Sequence, residues 1–536
     1  LANEFDYVII GAGSAGCVLA DRLSANGKHQ VAVVEAGPPD DFIWTHIPLG
    51  YGKTFFDKRL NWAFTTESDP GLGNRPDYWP RGKVLGGSSA INAMVWIRGD
   101  RLDYEDWARA GNPGWGWSDV LPHFRSLEHN QAGADEYRAQ GGPVFIADVS
   151  DRVHPLAARF VTAGLQAGLK PNADFNGATQ EGVGIYQTNI KGGWRVSANR
   201  AFLQPARKRN NVTVFTSTHA LRVNISGRRA TGVDVMNNGT RRTIRARREV
   251  ILTAGAVGSP QLLQLSGIGP GNLLQRLGID IVHANPNVGR HLQDHVGINY
   301  VYRSRVPTLN QQLGTWRGKL LAGADFLLRG RGPLALSLNQ GGGFVRTREG
   351  LDRANIQLYF QAISTYLAKS GTRPLTGPDP FPGFAIGLSN CVTTSRGEIM
   401  LASPDPFAQP AIRPNSLSTN SDIQDVLDGL HLLRHIASQP AMAEVIDHEL
   451  APGPKITSDD ALIDDFRARC GTVYHPSCTC RMGPDESDAV VDAQLRVHGL
   501  EGLRVADASI FPQLISGNTN APTMMVASKA AEMILA

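Results

Sequence analysis

Gly11, Gly13 and Gly16 stand at the spacing G-x-G-x-x-G, and Glu35 follows 22 residues after Gly13. That set suits a dinucleotide. Gly11 permits a tight turn, Gly13 lets backbone approach a pyrophosphate, and Gly16 lets a helix pack closely on a strand. Ser14 and Ala15 lie in that turn, ahead of a helix N-terminus where free amides and the dipole favour phosphate. Glu35 can accept hydrogen bonds from a ribose diol; the spacing alone does not separate NAD from FAD. A second cluster, Gly82, Gly86 and Gly87 with Ser88 and Ser89, leaves backbone unshielded beside small hydroxyls, which suits close wrapping of a flat polar ligand. Proton transfer calls for histidine, whose ordinary pKa lies near neutrality. Composition does not choose among the 14 present, but His475 stands out in Tyr474-His475-Pro476-Ser477, a loop rich in Gly, Ser and Pro after a helix.

The elements that must hold these residues show in the apolar runs. Residues 5–10 predict a buried parallel strand, 17–23 a helix, and 31–34 a second strand ending at Glu35. The dinucleotide motif therefore has its full context. Residues 90–97 are too apolar for solvent and predict a buried loop entering a helix or strand. Residues 249–252, the turn at 253–256 and the segment that continues through 259–260 and 262–269 repeat the order strand, glycine turn, short helix. Strands are predicted at 221–224, 231–236 and 243–246, with Asn237-Asn238-Gly239 as a hairpin turn. The arginines at 241, 242, 245, 247 and 248 predict a solvated face. Beyond about residue 301, strands at 356–362, 384–392 and 398–402 predict a separate sheet, with a Pro-rich loop at 374–382. Residues 422–436 predict an amphipathic helix, Ser458 caps another running to Cys470, and Pro522 fits the first turn of a terminal helix.

A chain of 536 residues exceeds one compact core, since domains usually run ~100–200 residues. With 42% hydrophobic and 19% charged residues it is not extensively disordered. The 53 Lys+Arg against 49 Asp+Glu leave +4, too little to call for a nucleic-acid partner. No stretch approaches the ~20 apolar residues needed to span a bilayer. Residues 1–6 lack the features of a secretory signal, although the missing Met means that trimming could have removed a leader. A cytoplasmic location is expected, and peripheral membrane association is compatible with it. Five cysteines, Cys17, Cys391, Cys470, Cys478 and Cys480, make no disulfide scaffold. Cys478 and Cys480 form a CxC without a matching ligand set, so no metal is expected.

The chain resembles the glucose-methanol-choline (GMC) flavin oxidoreductase family. The segments that carry the resemblance are 82–92 (GKVLGGSSAIN), 255–269, Tyr474-His475-Pro476 and 518–523 (NTNAPT). The resemblance implies an α/β fold: a discontinuous Rossmann-like FAD-binding domain from 1–155, 195–300 and 470–536. A substrate domain from 156–194 and 301–469 would carry an antiparallel β-sheet and helices. It implies FAD as cofactor, held non-covalently, because Ile91 stands where some relatives carry the tethering His. It assigns His475 as the base and Asn518 as its partner at the substrate oxygen. Asn92, Ala93 and Met94 would flank the isoalloxazine. Asp507 and Ala508 would touch the cofactor chain near the ring, and the backbone of Ala220 would touch adenine. Val84, Val95, Tyr474, Thr519 and Asn520 complete the expected cofactor contacts. The N-terminus of the last helix would face the flavin pyrimidine edge, where its dipole stabilises the reduced ring. The expected reaction is oxidation of a small alcohol to aldehyde or ketone, with hydride going to flavin N5 and electrons to a quinone, cytochrome or dye. The motifs resemble bacterial alcohol, sorbose and choline dehydrogenases more than sugar oxidases. An O2-using alcohol oxidase, a choline dehydrogenase with an aromatic cage from Tyr359, Phe360 and Tyr474, and a flavin-dependent lyase remain as alternatives. Oligomeric state is not legible.

Overall fold

The structure is a computed structural model describing residues 4–366 and 377–536. Residues 374–376 of the expected Pro-rich loop lie outside the described residues.

Short β-branched runs build a first sheet. Its parallel part has the order Val212–Phe215, Val31–Val34, Glu4–Ile10, Thr240–Leu252, Leu503–Val505. Val8, Ile9, Val33 and Ile251 are fully buried, as expected of strands covered on both faces. The segments predicted at 243–246 and 249–252 are one strand of 13 residues. Its first half pairs antiparallel with Arg229–Asn237, which pairs with Thr218–Ser226; its second half joins the parallel part. Asn238 and Gly239 take φ of 48° and 76°, the left-handed pair a two-residue hairpin turn needs. All five arginines between 241 and 248 are exposed, and Arg241 and Arg247 pair with Asp234 and Asp6. Helix Ser14–Ser24 packs on the terminal helix Asn520–Leu535, so the two ends of the chain close the same lobe.

The second sheet is antiparallel, in the order Ile446–Ala451, Val296–Ser304, Gly383–Asn390, Ile356–Gln361, Gly341–Val345, Gly182–Ile185, with Gly471–Thr472 also on Val296–Ser304. Helix Asn420–Ser438 buries Val426, Leu430 and Leu433 against it. Helix Asp459–Arg469 is capped by Ser458, whose hydroxyl oxygen accepts from Ala461 N–H at 3.3 Å. One expectation is corrected: Gly397–Met400 does not join this sheet but forms a separate three-stranded one with Arg290–Leu292 and Ala411–Arg413. Residues 90–97 are buried except Asn92 and Ala93, yet form neither helix nor strand after the 3-10 turn Gly87–Ala90. Trp96 packs in the core around the first sheet and Ile97 in a cluster with Tyr186, Phe344 and Tyr359; burial, not periodicity, is what their apolarity encoded.

Candidate active site

The glycine-rich turn brings backbone, not side chains, to the site. Gly11 has φ of 105° and donates its N–H to Val34 O at 2.8 Å. A Cβ on Gly16 would collide with the Gly11 carbonyl, so that glycine serves helix–strand packing. A Cβ on Gly13 would meet no protein atom within 4 Å and would project into open space. Helix Ser14–Ser24 begins there with no side-chain cap and no acid in its first turn, leaving amide donors for an anion. Glu35 accepts from Ala12 N–H at 2.9 Å and Gly37 N–H at 2.8 Å, and burial pushes its pKa up to about 7.

One cavity of about 1560 Å³ runs from this turn to the second sheet. Gly11, Gly13, Ser14, Ala15 and Glu35 line one end, and Ala220 lines it as well. Gly82, Gly87 and Ser88 line the middle, followed by Asn92, Ala93, Met94 and Val95. Asp507, Ala508, Thr519 and Asn520 line it from the C-terminal segments, and Tyr474, His475 and Asn518 from its far end. Gly16, Val84 and Gly86 do not line it. Val84 is buried against Leu60, Ala90 and Ile91, and Gly86 donates its N–H to Ala12 O at 2.8 Å, tying the second glycine cluster to the first. Asp507 accepts from Ser259 Oγ–H at 2.6 Å and from the N–H groups of Gly255 and Ser509, both at 2.8 Å. Asn520 accepts from Ser14 Oγ–H at 2.7 Å, while its buried Nδ2 has no protein partner. An open berth over Gly13, uncapped amides and an unused buried donor on a cavity-lining residue fit a long phosphate-bearing cofactor.

The far end holds a hydrogen-bonded series whose direction is set at its last acceptor. His295 Nε2 lies 2.8 Å from Cys391 O, so Nε2 carries a proton. Burial lowers the His295 pKa to about 4, so its Nδ1 is bare and accepts from His475 Nδ1–H at 3.0 Å. His475 Nε2 is then bare and accepts from Asn518 Nδ2–H at 3.1 Å. Asn518 Oδ1 accepts from Gln357 Nε2 at 3.2 Å, fixing the amide orientation. Burial, then His295 and Arg81, holds the His475 pKa well below its ordinary value, so the ring is neutral. Its backbone N–H donates to Asp294 Oδ1 at 2.8 Å, and burial raises that carboxyl to about 7. Tyr474 and Met94 hold φ of 73° and 62°, uncommon for non-glycine residues and both beside this cavity. A neutral imidazole with a bare, cavity-facing Nε2 and a carboxamide 3.1 Å away can take a hydroxyl proton and hydrogen-bond the oxygen left behind.

Sequence reasoning missed His295, Gln357 and Asp294. Asp294-His295 sits in no local motif; strand Val296–Ser304 carries it under a histidine 180 residues later. Among the described residues no group of three or more His, Cys, Asp or Glu is placed to hold a metal. Cys478 Sγ–H donates to Gln293 Oε1 at 3.3 Å, and all five cysteines are buried and free. Phe360 stacks on Phe160 and packs against Phe384 away from the cavity, whereas Tyr359 and Tyr474 line it.

A two-lobed α/β oxidoreductase with a dinucleotide turn and a histidine–asparagine pair is the class these features define. Family comparison makes it specific: GMC oxidoreductase models match residues 5–297 and 393–527, and the chain belongs to that family. It is 43% identical to an alcohol dehydrogenase [acceptor] of Pseudomonas putida over 99% of this chain and 96% of the relative. It is 41% identical to an oxygen-dependent choline dehydrogenase of Photobacterium profundum, over 99% and 93%. The crystal structure of pyridoxine 4-oxidase from Mesorbium loti superposes with a TM-score of 0.89 at 30% identity, covering 98% of each chain. FAD is the cofactor, and Ile91 offers no nucleophile to tether it.

Proposed function

We propose that this protein is an FAD-dependent alcohol dehydrogenase, oxidising an uncharged alcohol to an aldehyde or ketone and passing electrons to a quinone, cytochrome or dye acceptor. Bound FAD supplies the acceptor for the carbon-bound hydrogen and its electron pair. The turn at Gly11–Gly13, Glu35 and the amides of helix Ser14–Ser24 would hold its adenosine and phosphates, and 87–95 with Asp507, Ala508 and 518–520 its ring end. The chain's own chemistry is the proton step. The alcohol displaces the Asn518 amide from His475 Nε2 and donates its O–H there, while Asn518 Nδ2–H turns to the alcohol oxygen. The paired neutral His475 and Asn518 carry the reading.

The acid–base character of the lining favours an uncharged alcohol over choline. The lining carboxylates, Glu35, Asp77 and Asp507, are each engaged by backbone N–H groups. Lys53, Arg81 and Lys319 also face the cavity, as do Arg75 and Arg469, which are paired with Asp77 and Asp465, so a quaternary ammonium would meet cations without a free counter-charge. The 43% identity to an alcohol dehydrogenase [acceptor] supports the acceptor class. The test is anaerobic mixing of the holoprotein with alcohols, sugars and choline while flavin absorbance is followed, then reoxidation by a quinone dye or by air. Bleaching by alcohols and faster reoxidation by the dye are expected. A flavin that stays oxidised with every alcohol overturns the reading, and reoxidation by air alone makes it an oxidase.

A further inference from the structure

We infer that helix Trp316–Arg329 docks the protein on an anionic lipid surface. Trp316, Leu320, Leu321, Leu327 and Leu328 are 65–84% exposed and are the five most exposed large hydrophobic side chains among the described residues. Isolated exposed leucines need no explanation, but four leucines and a tryptophan on one helix do. At ~3.6 residues per turn they share one arc of about 140°. On the opposite side Ala322 and Phe326 are buried, with the Phe326 ring 4.8 Å from Trp194. The polarity of a surface helix is thus inverted, apolar side outward.

Charge selects the occupant. Between 316 and 331 stand Arg317, Lys319, Arg329 and Arg331 against the single acid Asp325, which pairs with Arg329 at 3.7 Å. A second copy of this chain would bring the same cations face to face, whereas anionic headgroups neutralise them. An apolar arc with a terminal Trp and neighbouring arginines is the pattern of a helix lying in a membrane interface. Among the described residues no helix is long and apolar enough to cross a bilayer. Lys319 and Ala322, on the other side of the helix, line the large cavity, so the helix separates the docking face from it.

The test is flotation of the FAD-loaded protein with phosphatidylcholine vesicles, with and without phosphatidylglycerol. Wild type should float with the anionic vesicles. Leu320→Glu/Leu328→Glu should lose more than tenfold in binding, and Arg317→Gln/Arg331→Gln roughly 30-fold on anionic vesicles only, both with unchanged flavin content. Absence of flotation by wild type, or full flotation by the arginine variant, overturns the inference. So does a dimer in sedimentation that the leucine variant dissociates without any vesicle binding, which would assign the face to a second copy.

Discussion

At the residue scale the site depends on which nitrogen of His475 is bare, and that is decided outside the residue. The carbonyl of Cys391 accepts a hydrogen bond from His295 Nε2–H, the bare His295 Nδ1 accepts one from His475 Nδ1–H, and His475 Nε2 is thereby left bare. His475→Ala should retain FAD and slow flavin reduction by roughly 10²–10⁴-fold, measured by anaerobic stopped flow; an unchanged rate would remove His475 from the proton step. His295 is a positioning residue. His295→Ala should cost about 10-fold in reduction rate, less than the 10²–10⁴-fold that a general base itself contributes, and should shift the pH profile, with His295→Gln recovering part of both. Because His475 is held well below ~6.5, it stays a base as pH falls, so the acid limb of kcat/KM should lie below that value. Stability has the matching sign. The unfolded state takes up the proton first, so stability that is full above pH ~6.5 is lost as pH falls below it. An acid limb at or above ~6.5 would contradict a desolvated, neutral imidazole.

At the element scale the glycines divide by what their missing side chain makes room for. Gly16 makes room for Gly11, a contact inside the protein, and Gly16→Ala should prevent native packing of helix on strand. Gly13 makes room for nothing in the protein, and its φ of −80° suits any residue. Gly13→Ala should therefore fold with unaltered far-ultraviolet circular dichroism yet bind FAD at least tenfold more weakly in flavin titration. Equal FAD affinity would place the pyrophosphate elsewhere. Sequence made this turn legible because every determinant lies within 32 residues, from Glu4 to Glu35. Helix Gly255–Leu265 was legible for the same reason, although its Pro260 frees the Ala256 carbonyl, which accepts from Thr479 Oγ1–H at 2.7 Å. Gly397–Met400 was assigned to the wrong sheet because a four-residue strand encodes its extended state but not its neighbour. His475 and Asn518 were reached through resemblance, whereas His295 and Gln357 owe their positions to strand order in the second sheet, which no local pattern records.

At the scale of the whole molecule the cavity is the joint between two cores. One core surrounds the parallel strands and the other the antiparallel sheet. The cavity takes Gly13 and Glu35 from the first lobe and Tyr359 and Gln361 from the second sheet. A ligand that fills it contacts both, so its binding free energy is shared between them. Ligand that binds only the folded state adds about 2.7 kcal/mol at a hundredfold excess over Kd. Loading FAD should thus raise the thermal transitions of both lobes together, read by near-ultraviolet circular dichroism on stripped and reconstituted protein. Gly13→Ala should lower that FAD-dependent increment without lowering the Tm of the stripped protein, since its Cβ touches no protein atom. If FAD moved only one of two transitions, the lobes would be coupled by their own packing and not through the cofactor, and the large void between them would be a substrate chamber alone.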